Sequence, residues 1–584
     1  MAPAAAIDHE KRSGTRRHGA RENERTDEEA TPHQAEEAST ALYDRGVIRN
    51  LLVANRGEIA VRVFRTCREL GIDTVAVAAP DDVGSLHVRS AGETVPITSY
   101  LDPQEHVRAA RESGADAVHP GYGFLAENAD FAEAVVDAGL VWIGPPAEAL
   151  RLGGDKLAAK RVASAAGVPI VPTGDASEIG YPLIVKAAAG GGGRGMRVVR
   201  EPAGLEDALA AATREAEAAF GDGTVFCERY VERPRHVEIQ LLADSHGRVL
   251  SLGERDCSVQ RRHQKVLEES PSPAVDPKLR AAIGRAAVDF ARAVGYVGAG
   301  TAEFMLDGRD FYFLELNGRI QVEHPVTELV TGLDLVREQI RVAQGEPLSS
   351  SSGRSQGHAV EVRLYAEDPR TFLPQAGTVS RLQLPRSVRV DAGVAEGDEV
   401  GIAYDPMIAK LIAHGPTRDE AFSRLADALA ETRVEGVTTN LPFLRWLVMH
   451  PVLRSGQATT AFLTEHPPLS EPPLRLPSVV WRGAWRLNLP PAAPIAAPDI
   501  DAAAHAHVGA STESTLVAPM PGTVIRVLVA AGDLVEPRQH LLVLEAMKME
   551  TPIAAPFGAK VKAVHVEEGA RVAGGAVLVE LEPG

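Results

Sequence analysis

The sequence predicts a multidomain chain of the α/β and α+β classes that ends in a small all-β domain. Three observations carry this expectation. From Ile48 to about Gly144, apolar runs lead into glycine and then into amphipathic stretches, which reads as strand–turn–helix units around a mostly parallel sheet. Alternating apolar and polar strands then take over, as in antiparallel sheets with one wet face. The C-terminal stretch repeats itself at a spacing of 37 residues, pairing Val524 with Val561, Gly532 with Gly569, Val535 with Val572 and Leu544 with Leu581.

The size and composition agree. A chain of 584 residues suggests about four domains at roughly 150 residues each. Lys plus Arg number 61 against 79 Asp plus Glu, a formal net charge of −18, which argues against sequence-independent nucleic-acid binding. Three widely spaced cysteines, Cys67, Cys227 and Cys257, exclude a disulfide scaffold or a cysteine-rich zinc site and suit a reducing compartment, hence the cytoplasm. No run of 18 or more apolar residues predicts a membrane span, and the polar N-terminus has no secretory apolar segment.

Taken in order, residues 1–46 are polar and mixed in charge, cannot offset their ordering entropy, and are expected to be disordered. Residues 47–155 form the first α/β block. It opens on the strand around Leu51-Leu52-Val53 and includes a glycine-rich turn at His119-Pro120-Gly121-Tyr122-Gly123-Phe124. Residues 156–350 mix helices with alternating strands such as Arg235–Leu241 and Asp310–Leu316, and 351–465 continue as α+β. Residues 466–512 are rich in proline and alanine, as an extended linker would be, yet contain Trp481 and Trp485, which a linker has no core to bury. Residues 513–584 hold the repeat. Two such halves make one small two-fold sandwich, with Glu545-Ala546-Met547-Lys548-Met549-Glu550 at the hairpin between them and Lys548 projected at its tip.

Three groups of residues point to chemistry. The run Gly190-Gly191-Gly192-Gly193-Arg194-Gly195 follows a strand that ends in Lys186, so backbone N–H groups can close on anionic oxygens. It is neither a Walker A loop nor a Rossmann fingerprint. Glu303 and Glu315 each interrupt an apolar strand, and the two strands are close enough in sequence to pair as a hairpin. Hard carboxylate ligands beside a phosphate loop suit Mg²⁺. Cations and amides crowd Cys257–Lys265 and Arg319–Pro325, as a site for small anions requires.

With these motifs in view, the chain resembles the α subunits of acyl-CoA carboxylases, of the actinobacterial acetyl-/propionyl-CoA carboxylase type. In these, a biotin carboxylase of the ATP-grasp superfamily is fused to a biotin carboxyl carrier domain. The resemblance covers residues 48–465 and 513–584. It implies a Rossmann-like N-terminal domain, an ATP-grasp domain, a C-terminal α+β domain and a flattened β-sandwich that carries biotin on Lys548. It further implies that Lys156, Lys186, Gly191, Gly192 and Gly193 hold ATP phosphates, that Glu228 begins the hinge under adenine, that His236 approaches the ribose, and that Gln260 and His263 face the phosphates. Glu303, Glu315 and Asn317 would bind Mg²⁺ or Mn²⁺. Lys265, Arg319, Gln321 and Val322 would cradle bicarbonate, Glu323 would be its general base, and Arg363 would stabilise the biotin enolate.

The activity so implied is a ligase of fatty-acid biosynthesis type: ATP- and bicarbonate-dependent carboxylation of the chain's own biotin. Carboxybiotin would pass to a separate carboxyltransferase β subunit acting on acetyl-, propionyl- or 3-methylcrotonyl-CoA. A biotin protein ligase would attach the cofactor, and the chain would be homo-oligomeric within an α/β complex, with no nucleic-acid or membrane partner. A pyruvate or urea carboxylase would need a carboxyltransferase region for which no residues are left. A lipoyl-type carrier on a non-catalytic ATP-binding regulator is disfavoured by Met547 and Met549 around Lys548 and by the intact set Lys265, Arg319, Glu323 and Arg363. The chain departs from the family at Ala188 and Ala189, at Gly318, where Thr is usual, and at Ala79-Pro80-Asp81-Asp82.

Overall fold

The computed structural model describes residues 46–188, 196–220, 222–261, 264–348, 355–401, 403–469, 515–518, 522–537, 539–546, 549–572 and 575–583. The expectations for residues 1–45, for Gly191, Gly192, Gly193 and His263, for the linker from 470 on with Trp481 and Trp485, and for Lys548 lie outside the described residues.

The first block folds as predicted. Its parallel sheet has the order Glu93–Pro96, Asp73–Ala78, Asn50–Val53, Ala117–His119, Val141–Trp142. The first strand therefore lies in the middle, and the chain leaves it in opposite directions. In such sheets the crevice beyond the carboxyl ends of the central strands is where ligands bind. Two loops meet there. Asn55, after the first strand, donates its side-chain amide to the carbonyls of Pro120 (2.7 Å) and Tyr122 (2.8 Å). Gly121 between them has φ +64°, and a Cβ there would lie 2.8 Å from Asn55 Nδ2, so conformation and close approach both demand glycine. Helix Gly57–Leu70 buries Ile59, Ala60, Val63, Phe64 and Cys67 on one face and stops at Gly71 in the left-handed region.

Next comes a three-stranded antiparallel sheet, Arg197–Val199, Leu183–Ala187 and Val225–Arg229. The largest sheet has eight antiparallel strands in the order Asp310–Asn317, Gly298–Asp307, Arg235–Ala243, Val249–Arg261, Gln264–Ser270, His358–Tyr365, Met407–Gly415, Arg389–Ala392. Strands from either side of position 350 thus share one sheet, joined where Gln264–Ser270 pairs with His358–Tyr365.

One expectation needs correction here. The alternation in Arg235–Leu241 was expected to mark a wet face, yet every residue from Val237 to Ala243 is buried. Val237, Ile239, Leu241 and Ala243 pack on helix Pro277–Ala293 through Ile283, Ala287 and Phe290. The opposite face, with Glu238 and Gln240, turns toward buried Arg255 instead of solvent. A polar face of a central strand can be dry when its charges find partners.

The C-terminal repeat is realised in space. Strands Gly522–Val527, Leu534–Val535 and His540–Ala546 recur 37 residues later as Ala559–Val564, Arg571–Val572 and Val577–Pro583. Each of the two four-stranded sheets takes strands from both halves, around a core that includes Val524, Leu542, Leu544, Val561, Val579 and Leu581. The hairpin register between the two halves runs out to Ala546 opposite Met549. Among the described residues, no helix is long and apolar enough to cross a membrane, and all three cysteines are buried and free.

Candidate active site

Five strands of the large sheet, Arg235–Ala243, Val249–Arg261, Gln264–Ser270, Gly298–Asp307 and His358–Tyr365, and the start of helix His324–Thr331 deliver charged side chains to one place. Glu323 immediately precedes that helix and is fully buried. Its Oε1 lies 2.7 Å from Lys265 Nζ, and its Oε2 accepts from Arg363 Nη2 at 3.0 Å. Burial pushes a carboxyl up, but Lys265, Arg363 and Arg255 outweigh it and hold Glu323 well below the usual carboxylate range. Glu323 is therefore an anion clasped between two cations. The carbonyl just before it, that of Val322, accepts from Lys410 Nζ at 2.7 Å; Lys410 is fully buried and pairs with Glu58 at 3.0 Å.

Lys265 is shared. Besides Glu323 it contacts Glu238 Oε2 at 2.5 Å and Glu303 Oε1 at 2.9 Å. Glu238 is held in turn by Arg255, whose Nε donates to Oε1 at 2.5 Å. The same guanidinium donates to Gln240 (2.6 Å), Thr327 (3.0 Å) and Thr301 (3.1 Å), which fills its fork with acceptors in a wholly buried position. At the other end, Arg363 Nε donates to Glu268 Oε1 at 2.7 Å. Burial raises the Glu268 carboxyl to about 7 against the pull of Arg363. Charges alternate along the whole line: Arg255, Glu238, Lys265, Glu323, Arg363, Glu268.

The two predicted metal carboxylates are directly opposed in the sheet register, Glu303 against Glu315. Glu303 also accepts from Asn317 Nδ2 at 3.0 Å and Gln321 Nε2 at 3.1 Å, and its Oε2 lies 2.9 Å from His236 Nε2. Despite burial, Lys265 and His236 hold its carboxyl well below the usual range. Glu315 is pushed up by burial and by the facing Glu303 charge. Two carboxylates facing one another at this density fit a hard divalent cation. His236, Glu238 and Glu303 present ligand atoms within 4.8 Å of one another.

Arg319 donates through Nη2 to Asn317 Oδ1 at 3.0 Å and makes longer contacts to Ile320 O and Gln321 Oε1. A Cβ at Gly318, just before it, would fall 2.6 Å from Leu150 Cδ2. Lys186 lies in the central strand of the three-stranded sheet, 2.6 Å from the buried Glu228 carboxylate, which Lys160 also contacts. Lys156 opens helix Lys156–Ala165, capped by Asp155. Gln260 Nε2 donates to the Cys257 carbonyl at 2.9 Å, within hairpin Val249–Arg261/Gln264–Ser270. A cavity of about 350 Å³, lined in part by Arg56, Gly57, Ser85, Tyr404, Asp405 and Met407, opens between the first block and the 393–407 segment.

The structure thus gathers Lys265, Glu303, Asn317, Arg319, Gln321, Glu323 and Arg363 into one cluster. Sequence reasoning assigned no role to Glu238, Arg255, Glu268, Lys410 or Glu58. For Glu238 and Lys410 the available signal was a charged residue between apolar ones on a central strand; Arg255 and Glu268 have charged neighbours in sequence, and Glu58 lies in the first helix.

Comparisons with known proteins place the chain among its relatives. Residues 47–150 match the family described as Biotin carboxylase, N-terminal domain. Residues 155–351 match Carbamoyl-phosphate synthase L chain, ATP binding domain, residues 361–465 match Biotin carboxylase C-terminal domain, and residues 514–581 match Biotin-requiring enzyme. The chain is 48% identical over 443 residues to the biotin carboxylase of Halalkalibacterium halodurans, covering 72% of this chain and 98% of that one. It is 50% identical over 445 residues to the mitochondrial methylcrotonoyl-CoA carboxylase subunit alpha of Arabidopsis thaliana, covering 72% of this chain but only 61% of that subunit's length. Among solved structures, the biotin carboxylase domain of Hydrogenobacter thermophilus 2-oxoglutarate carboxylase, a dimer in complex with MgADP, ADP and bicarbonate, is 44% identical with a TM-score of 0.70. That match covers 72% of this chain and 98% of that domain.

Proposed function

The chain belongs to the biotin carboxylase family, and from that premise we propose that it carboxylates biotin carried on its own Lys548, using ATP and bicarbonate. The observation that carries this reading is the clasped Glu323, a buried carboxylate between Lys265 and Arg363. Bicarbonate is a poor nucleophile and needs a base within reach. Lys265 and Arg319 supply positive charge to hold the anion, with Gln321 and the backbone at Val322 beside them. When Glu323 takes the proton of bicarbonate it loses its charge, so its hold on both cations weakens. Lys265 keeps Glu238 and Glu303. The Arg363 edge that faced Glu323 becomes available to an oxygen that gains negative charge in the next step. Glu268 keeps the guanidinium oriented meanwhile.

On the nucleotide side, Lys156 and Lys186 hold phosphates, with the backbone at Gly191, Gly192 and Gly193. Glu228 opens the adenine hinge, and His236, Gln260 and His263 border the nucleotide. Glu303, Glu315 and Asn317 would hold Mg²⁺, whose part when bound is to neutralise phosphate charge during transfer. Bound biotin supplies a ureido nitrogen that accepts and carries the carboxyl group. The cavity beside Tyr404 and Asp405 is of the size of small-ligand pockets, on the order of 300–1,000 Å³, and gives the tethered group an approach.

The likeness to an α subunit supports a separate carboxyltransferase partner, and we propose Trp481 and Trp485 as docking anchors because aromatic residues of this kind tend to carry interfaces. The acceptor we propose is a short-chain acyl-CoA, acetyl- or propionyl-CoA before 3-methylcrotonyl-CoA. Lys548→Arg tests the scheme. It is expected to lose avidin reactivity and acyl-CoA carboxylation while ATP cleavage driven by free biotin persists. An Arg variant that still binds avidin refutes the attachment site, and acyl-CoA carboxylation by the purified chain alone refutes the two-subunit reading.

A further inference from the structure

Glu127 has no part in the roles above. It lies in the loop after strand Ala117–His119, in the first block, and its carboxylate reaches the segment that follows strand Asp310–Asn317. Oε1 accepts the Gly318 N–H at 3.1 Å, and Oε2 lies 3.0 Å from Arg319 Nε. One carboxylate therefore grips the backbone of one residue and the side chain of the next. From the other side, Asn317 Oδ1 accepts from Arg319 Nη2 at 3.0 Å. The contacts of Nη1 are longer, 3.5 Å to Ile320 O and 3.4 Å to Gln321 Oε1.

A guanidinium is a planar fork of five N–H donors. Here the Glu127 carboxylate pairs with its charge beside Nε, without an aligned N–H bond, while Nη2 is hydrogen-bonded to Asn317, so the group is held from two sides. The long-contacted Nη1 edge is then the one left to a planar oxyanion. The fields of Glu323 and Glu303 also reach Arg319. Without Glu127, the guanidinium is drawn toward those carboxylates and away from the open edge. Glu127's own side chain is 43% exposed, and so open an ion pair contributes little to folding. Its worth lies in orientation.

We propose that Glu127 is a positioning residue for bicarbonate, acting through Arg319 by holding its guanidinium in place through an ion pair beside Nε and a bond to the Gly318 backbone. The inference rests on the reading of Arg319 as a bicarbonate ligand, and the test separates the two. Glu127→Gln, Glu127→Asp, Arg319→Gln and the Glu127→Gln/Arg319→Gln double variant are made in the full chain. Biotin-dependent ATP cleavage is measured against bicarbonate at saturating MgATP, then against MgATP at saturating bicarbonate. Glu127→Gln should raise the KM for bicarbonate about tenfold, the loss of one charge-assisted contact, with kcat within about threefold and the KM for MgATP unmoved. Glu127→Asp should recover part of that loss, and the double variant should be no worse than Arg319→Gln alone.

An unmoved bicarbonate KM in Glu127→Gln overturns the proposal, as does an equal rise in the KM for MgATP or full additivity in the double variant. If Arg319→Gln itself leaves the bicarbonate KM unchanged, the underlying reading of Arg319 fails and this inference falls with it.

Discussion

The alternating line of charges makes two chemically identical substitutions behave differently. Glu238→Gln and Glu323→Gln each remove one negative charge from a buried carboxylate that touches Lys265. Loss of the Glu323 charge leaves Lys265 paired with Glu238 and Glu303, and Arg363 paired with Glu268. No cation is stranded, so the stability cost should be about 1 kcal/mol, that of an ordinary hydrogen-bond adjustment. Loss of the Glu238 charge is another matter. Arg255 is wholly buried, and among the described residues Glu238 is its carboxylate partner, the rest of its fork going to neutral oxygens. Stranding a buried charge costs about 3–5 kcal/mol. The assay is paired: urea unfolding followed by circular dichroism, and bicarbonate-dependent ATP cleavage. Glu323→Gln should unfold only slightly below the unsubstituted midpoint and keep its nucleotide affinity, but lose about 10²–10⁴-fold in rate, the worth of a general base. Glu238→Gln should unfold at much lower urea. Equal destabilisation by both changes, or a Glu323→Gln enzyme of near-normal rate, would refute the charge-line reasoning.

Other outcomes follow from the same structure. Glu303→Gln and Glu315→Gln should each raise the Mg²⁺ concentration needed for half-maximal activity, since each removes a hard ligand; metal titrations indifferent to both would make the pair ordinary strand residues. Burial pushes His119 down to about 4, and its Nδ1 accepts the Gly121 N–H, so it is neutral when folded. Because the unfolded histidine titrates near 6.5, the unfolded state alone gains a proton as pH falls from about 6.5 to 4, and stability is lost over that window. Between pH 7 and pH 5 the loss from this residue should be ~2 kcal/mol, and His119→Gln should remove that part of the pH dependence in urea unfolding; an unchanged slope contradicts a neutral buried His119. A Trp481→Ala/Trp485→Ala double variant should keep biotinylation and free-biotin carboxylation but fail to co-purify with a carboxyltransferase subunit; intact complex formation rules out the docking role.

Much of this was legible in the sequence because glycine turns and apolar periods are local signals. The parallel sheet from Leu51 to Trp142 and the repeat at 37 residues both follow from spacing alone. The opposed Glu303 and Glu315 were also readable, as carboxylates interrupting two strands of one hairpin. Arg255, Glu238 and Lys410 were not. Their meaning depends on which strands are central, and strand order in an eight-stranded sheet is set by contacts between residues as far apart as Gln264–Ser270 and His358–Tyr365. Glu238 alternates with apolar neighbours as a solvent-facing residue would. Only the neighbouring strand shows that Arg255 waits opposite it.

The central claim is that this chain moves a carboxyl group from bicarbonate onto its own biotin. The most direct measurement uses the full chain, co-expressed with a biotin ligase and shown by intact-mass spectrometry to carry one biotin, incubated with radiolabelled bicarbonate, ATP and Mg²⁺ and then separated rapidly from free label. The account predicts acid-labile label on the protein, dependent on ATP and absent from Lys548→Arg and Glu323→Gln. A biotinylated chain that hydrolyses ATP but never acquires label, or label that survives in Lys548→Arg, would contradict it.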